Sequence, residues 1–286
     1  MMAKLKLRVL EEYLQTIEGF KIPKLHLEQY VTRPHVASHL LHDAQMSFAD
    51  LEGKCVADLG CGCGSLTFGA AALGAAYTVG FEVDPDAVEI FRENAKRLGL
   101  PGQWSIKNEQ HKEGYGTKGV ASDPSDDDDS NSDNESRSSS SSFGDAQYMP
   151  DASVDVVLCD VTSGEGLGST SNRWHKSVDT VVMNPPFGTK NNHGADMAFL
   201  KSALGMACSA VYTLHKTCTR NYVLAKGKEW GGSGTTAEVL AKLRFDLPKS
   251  YKFHNKRSVD VEVDFIRFGL SGTNTNVHSF RAMKIS

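Results

Sequence analysis

Residues 56–64 read Val56-Ala57-Asp58-Leu59-Gly60-Cys61-Gly62-Cys63-Gly64. A short apolar strand, Lys54 to Leu59, runs straight into three alternate glycines. Without a Cβ, such a backbone can approach a ligand closely, and the carboxyl ends of strands are where open α/β sheets bind ligands. The next apolar run ends Gly80-Phe81-Glu82-Val83-Asp84, which puts Glu82 22 residues after Gly60. An acid at that spacing can accept hydrogen bonds from two ribose hydroxyls. A turn for a dinucleotide pyrophosphate would read GxGxxG. Here the spacing is GxGxG with Asp58 in front, and a carboxylate there repels pyrophosphate but suits a cation. S-adenosylmethionine carries both an ammonium and a sulfonium, so the pattern favours that cofactor over a dinucleotide. For one glycine, a tight turn with no ligand would explain as much; the set with Asp58 and Glu82 points to the cofactor.

Outward from this turn the chain alternates strands and helices. Ser65 to Leu73 and Pro85 to Leu98 read as helices around a strand at Tyr77 to Val83. Strands follow at Val154 to Cys159 and Val178 to Met183, then a helix at Ala195 to Ala207, a strand at Ala210 to Leu214 and a helix at Thr217 to Trp230. Two late strands, Glu238 to Leu247 and Val259 to Phe268, flank a basic loop and predict an antiparallel ending. Upstream, Leu7, Leu10, Leu14 and Ile17 recur at helical spacing and predict a helix over Ala3 to Glu18. Pro34 to Phe48 reads as a second helix with Pro34 in its first turn. Leu25 to Thr32, between the two, reads as a loop rich in polar side chains. Repeated strand–helix alternation argues for a mostly parallel sheet covered on both faces.

The chain of 286 residues has a formal charge of −4, unevenly distributed. Ala121 to Ser142 hold six Asp, one Glu and one Arg, a local −6, so the remainder carries −4 + 6 = +2. The wider segment 105–149 has almost no aliphatic residues and cannot bury enough surface to offset ordering entropy. It interrupts a strand–helix crossover and is expected to be a disordered acidic Ser/Asp-rich insertion within a single domain, 1–286. No apolar run approaches the length of a membrane span. The Lys/Arg–Leu/Val alternation of Met1 to Leu10 predicts no signal peptide. Six cysteines without a CxxC pair predict reduced thiols and no metal site; Cys61 and Cys63 read as small residues between glycines.

The strand Val178 to Met183 runs into Asn184-Pro185-Pro186-Phe187. Two prolines stiffen the turn. The Asn184 side-chain carbonyl and the Pro185 backbone carbonyl can then converge as paired acceptors for an exocyclic amine, aiming its lone pair at an electrophile. Phe187 is expected to offer a face for base stacking, worth roughly 1–3 kcal/mol in nucleic-acid sites. Methyl transfer to such an amine gains its rate mainly from positioning and needs no strong general base, because the amine sheds its proton afterwards. Pro-Pro alone would be an ordinary turn; after a cofactor-type glycine loop it reads as catalytic.

With these motifs the sequence resembles the methyltransferase-like protein 5 family, class I S-adenosylmethionine-dependent enzymes that methylate N6 of an adenosine in 18S ribosomal RNA. The matching stretches are Leu27-Glu28-Gln29-Tyr30 with Thr32-Arg33-Pro34-His35, then Ala57 to Gly64, Asn184 to Asn192, Asp196 to Lys201, and Tyr251 to His254 with Ser258 to Phe268. The resemblance implies an α/β fold: a seven-stranded Rossmann-like class I methyltransferase sheet, mostly parallel with an antiparallel C-terminal strand, with helices on both faces. It implies that Gln29 and Thr32 help hold the cofactor's amino-acid end. Asp58, Gly60 and Cys63 would line its methionine side, Gly62 and Ser65 would be further cofactor positions, Glu82 would bind its ribose and Asp160 would meet its adenine amine. Asn184 to Phe187 would hold the target adenine. It also implies a heterodimer with a small zinc-binding methyltransferase activator subunit, paired strand to strand. The substrate, with no targeting signal in the sequence, predicts a location in cytoplasm, nucleus or nucleolus.

Lys249, Lys252, Lys256 and Arg257, interleaved with Tyr251, Phe253 and His254, suit RNA phosphates and splayed bases, although a solvated hairpin loop would look similar. The alternative enzyme is a glutamine-N5 protein methyltransferase acting on a translation factor, which needs the same acceptor pair, usually with Tyr in place of Phe187. A DNA adenine methyltransferase and a non-catalytic binding module are the further alternatives.

Overall fold

The computed structural model describes residues 5–100, 102, 152–188, 192–247 and 259–271. The acidic segment 105–149 and the basic loop with Lys249, Lys252, Lys256 and Arg257 lie outside the described residues.

Seven strands form one sheet. They are β1 (Cys55–Leu59), β2 (Tyr77–Glu82), β3 (Ser153–Leu158), β4 (Val178–Met183), β5 (Ala207–Lys216), β6 (Thr236–Leu247) and β7 (Val259–Gly269), in spatial order β3-β2-β1-β4-β5-β7-β6. β1 to β5 pair in parallel, whereas β7 runs antiparallel to both β5 and β6. The antiparallel strand is therefore interior, and β6 forms an edge. Strand order reverses between β1 and β4, the crevice in which doubly wound sheets hold ligands.

The helices are α1 (Leu7–Gln15), α2 (Pro34–Phe48), α3 (Ser65–Ala72), α4 (Pro85–Arg97), α5 (Ala195–Met206) and α6 (Arg220–Gly231). Side chains alternate along each strand, so the sheet feeds two cores. On one face Val56, Val182, Tyr212 and Phe265 meet Leu10 and Leu14 of α1 and Leu40 and Leu41 of α2. On the other, Leu59, Val181, Val211, Ile266 and Phe268 meet Leu200 and Leu204 of α5 and Val223 of α6. All five residues of β1 are buried, as a strand covered on both sides must be.

Two expected boundaries move. The first helix is shorter than Ala3 to Glu18. Lys6 is extended at its start, and at its end the Thr16 hydroxyl donates to the Tyr13 carbonyl at 2.7 Å, competing with a further turn. The helix expected from Thr217 begins as a 3-10 turn, Thr217–Thr219, before α6. Among the described residues, no helix is long and apolar enough to cross a membrane.

Candidate cofactor and target-base site

A pocket of about 300 Å³ opens at the carboxyl ends of β1, β2 and β4. From the residues expected to bind cofactor, it brings together Gln29, Thr32, Asp58, Gly60, Gly62, Cys63, Ser65, Glu82 and Asp160; from the target motif, it brings Asn184 and Pro186.

The glycine turn builds its floor. Gly60, Gly62 and Gly64 have φ of +70°, +53° and +99°, a region that costs any residue with a Cβ. At Gly64 a Cβ would also overlap the Phe68 ring. Glu82 cross-links the turn to the next loop. Its Oε2 accepts from Gly62 N at 2.8 Å, and its Oε1 accepts from Val83 N at 2.9 Å and Asp84 N at 3.0 Å. Burial raises the Glu82 carboxyl against these bonds, which pull it down. Burial also pushes the Cys63 thiol up to about 12 and Cys61 well above the ordinary range, so both are neutral fillers of the turn.

Asp58 Oδ2 accepts from the Thr67 hydroxyl at 2.7 Å, while Oδ1 is buried with no partner among the described residues. A buried carboxylate oxygen facing a pocket without a donor fits a ligand that brings its own N–H groups and positive charge, as the expected cofactor does. Burial raises the Asp58 carboxyl to about 7, against the hydrogen bonds from Thr67. A carboxyl raised on folding contributes stability below its ordinary range and loses it as pH rises through about 7. A cationic ligand favours the ionised form, so binding near pH 6 should release up to about one proton. Calorimetry of S-adenosylmethionine binding in buffers of differing ionisation enthalpy measures this. The Asp58→Asn variant should lose most of the release, and undiminished release in that variant would exclude Asp58 as its source.

Other expected residues are more constrained. The Gln29 amide is engaged at both ends: Nε2 donates to Asp84 Oδ2 at 2.6 Å, and Oε1 accepts from Lys24 N at 2.8 Å. Gln29 thus pins the segment before α2 to the N-cap of α4. Asp160 stands exposed at the mouth, where Oδ1 accepts from Thr162 N at 2.8 Å and its hydroxyl at 2.7 Å.

The target motif departs from expectation at Phe187. Its ring is 3% exposed, stacked on Tyr30 at 5.5 Å and edge-on to Phe245 at 5.9 Å. It does not line the pocket, because the end of β4 turns it into the apolar core. Tyr30 lines the pocket instead, and its hydroxyl donates to the Pro185 carbonyl at 3.1 Å, taking one of that oxygen's two lone pairs. Asn184 Nδ2 donates to Thr32 Oγ1 at 3.0 Å, leaving Oδ1 buried with no partner among the described residues. Tyr30 lies inside the Leu27-Glu28-Gln29-Tyr30 stretch, but no local motif singles it out; Phe20, Phe199 and Asn192 also line the pocket.

A family model, ribosomal protein L11 methyltransferase (PrmA), matches residues 41–119, which include the glycine turn. The Drosophila melanogaster rRNA N(6)-adenosine-methyltransferase Mettl5 is 44% identical over 267 residues, 93% of this chain and 98% of the fly protein. The Danio rerio rRNA N(6)-adenosine-methyltransferase METTL5 is 43% identical over 264 residues, 92% of this chain and 99% of the fish protein. Among solved structures, a candidate RNA methyltransferase from Pyrococcus horikoshii superposes with a TM-score of 0.61 at 27% identity, covering 96% of this chain and 100% of the other.

Proposed function

We infer that this chain, which belongs to the METTL5 family of rRNA N(6)-adenosine-methyltransferases, modifies a specific adenosine of 18S ribosomal RNA and holds that base at Asn184-Pro185-Pro186-Phe187. S-adenosylmethionine supplies the methyl group on its sulfonium. Asp58, Glu82, the glycine turn and Asp160 would hold this cofactor, and Gln29 would keep the adjoining segment in place. The observation that carries the reading is the paired orphan acceptors of one pocket, Asp58 Oδ1 and Asn184 Oδ1. One suits the cationic cofactor; the other suits a hydrogen of the target's exocyclic amine. Pro185's remaining lone pair supplies the second acceptor. With Phe187 buried, Tyr30, which lines the pocket and bonds Pro185, is the aromatic group we assign to the base, which must leave any stack to enter. Lys249, Lys252, Lys256 and Arg257 would contact RNA phosphates.

The partner we propose, a small zinc-binding activator subunit, suits the free edge of β3. Among the described residues β3 pairs only with β2, and Leu158 at its end is 54% exposed, with Val83 after β2 46% exposed. From this substrate we propose a location where ribosomal RNA is made and used, in nucleus and cytoplasm.

The test is transfer of labelled methyl from S-adenosylmethionine to separated ribosomal RNA and protein fractions, with and without such a subunit. Digestion and mass spectrometry should find N6-methyladenosine in 18S RNA. Label recovered instead as N5-methylglutamine would turn the assignment to the protein-modifying alternative, and label in another RNA would remove the 18S assignment.

A further inference from the structure

The fold joins three ligand-type side chains from separate stretches. Glu11 on α1 and His35 and His39 on α2 each offer one ligand atom, and these atoms lie within 4.8 Å of one another. The histidines are four residues apart on one helix, a spacing that stacks side chains on one face; their rings are 4.2 Å apart. His39 Nδ1 lies 2.9 Å from the His35 carbonyl oxygen. A ring N–H donated there leaves Nε2 with a free lone pair. Backbone carbonyls commonly fix metal-binding imidazoles in this way. His35 Nδ1 lies 3.3 Å from both Glu11 oxygens. A simple His35–Glu11 hydrogen bond explains that contact alone. It does not account for a His39 ring nitrogen lying within 4.8 Å of both other ligand atoms.

We propose that Glu11, His35 and His39 form a surface site for a divalent transition cation of the zinc class. Two imidazoles with one carboxylate make a ligand set found around Zn²⁺, with water completing a four-coordinate shell. The site is separate from the pocket and belongs to this chain's own helices. It joins the two ends of segment 16–33, from which Phe20, Gln29, Tyr30 and Thr32 reach the pocket.

The test is isothermal titration of zinc chloride into the full, tag-free chain and its His39→Ala and Glu11→Gln variants. His39 is exposed and Glu11 is partly exposed, so neither change removes core packing. One zinc per chain is expected, weakened at least about tenfold in each variant, as loss of even an outer-shell partner does. Cobalt substitution should give the visible absorption of a tetrahedral centre, absent from His39→Ala. Zinc should raise the melting temperature of the parent chain but not that of His39→Ala. Failure of the parent chain to bind zinc, or equal affinity in parent and variants, as when exposed Cys218 takes the metal, overturns the proposal.

Discussion

Replacing Asn184 with alanine is expected to cut methyl transfer to ribosomal RNA by about 10²–10³-fold, the range seen when one preorganised polar group is removed from a reacting centre. The target amine is a weak nucleophile until its hydrogens are held and its lone pair is aimed. Asn184 Oδ1 faces this task unpaired, and Thr32 keeps the amide from turning by accepting from Nδ2 at 3.0 Å. Alanine removes the acceptor but leaves the proline turn, Tyr30 and the glycine floor. Cofactor affinity should therefore stay within about threefold of the parent, since the loss falls on the transition state rather than on uniform binding. Single-turnover transfer beside calorimetry of S-adenosylmethionine separates the two. Retention of more than about a tenth of the parent rate would deny Asn184 this role.

The sheet was legible because its signals are local. Apolar runs stop at glycines or prolines, so the ends of β1, β2 and β4 fall within a residue of expectation. Pro34 starts α2, and Ala49, at φ +55°, stops it. Asp58, Glu82 and Asn184 were legible because each stands at or just past the carboxyl end of a strand and must reach the same edge. What stayed hidden depends on residues far apart in sequence. Phe187 was expected at the surface of the pocket, yet Tyr30 and Phe245, brought together by the fold, pack against its ring inside the core. The contacts of Tyr30 with Pro185 and of Thr32 with Asn184 span 155 and 152 residues. No local periodicity records them. Gly168 and Gly205 likewise read as ordinary glycines until they are seen face to face.

Gly205→Ala is expected to be the most damaging small substitution in the described residues. Gly205 lies in the last turn of α5, and a Cβ there would overlap the carbonyl oxygen of Gly168 and crowd that residue's carbonyl carbon and Cα at 2.6 Å. All three are backbone atoms, so no rotamer relieves the clash. The Gly168 segment is fastened on either side: Ser202 Oγ donates to Val161 O at 2.8 Å, and Lys176 Nζ donates to Leu204 O at 2.9 Å and Ala207 O at 2.7 Å. The loop must lift or the helix must shift, at a cost of about 3 kcal/mol, the upper part of the overpacking range. For a chain of this size that lowers the melting temperature by roughly 6–12 °C. Asp160 begins the same loop, so cofactor affinity should fall at temperatures where the variant is still folded. A melting temperature within about 2 °C of the parent would show that the helix and loop separate freely.

β7 lies between β5 and β6, although it follows both in the chain. During synthesis the keystone of this half of the sheet is therefore the last of its strands to be made. Until residues 259–269 arrive, β6 has no neighbour, Asp50 lacks the Arg267 side chain that reaches it at 2.9 Å, and the Ile266 and Phe268 sites in the core stand open. A premature stop anywhere in 248–258 would thus remove an interior strand, next to the β6 edge, rather than trim the rim. Such products would carry the complete glycine turn and Asn184 motif in their sequence, yet lack the support that holds β5 beside β4.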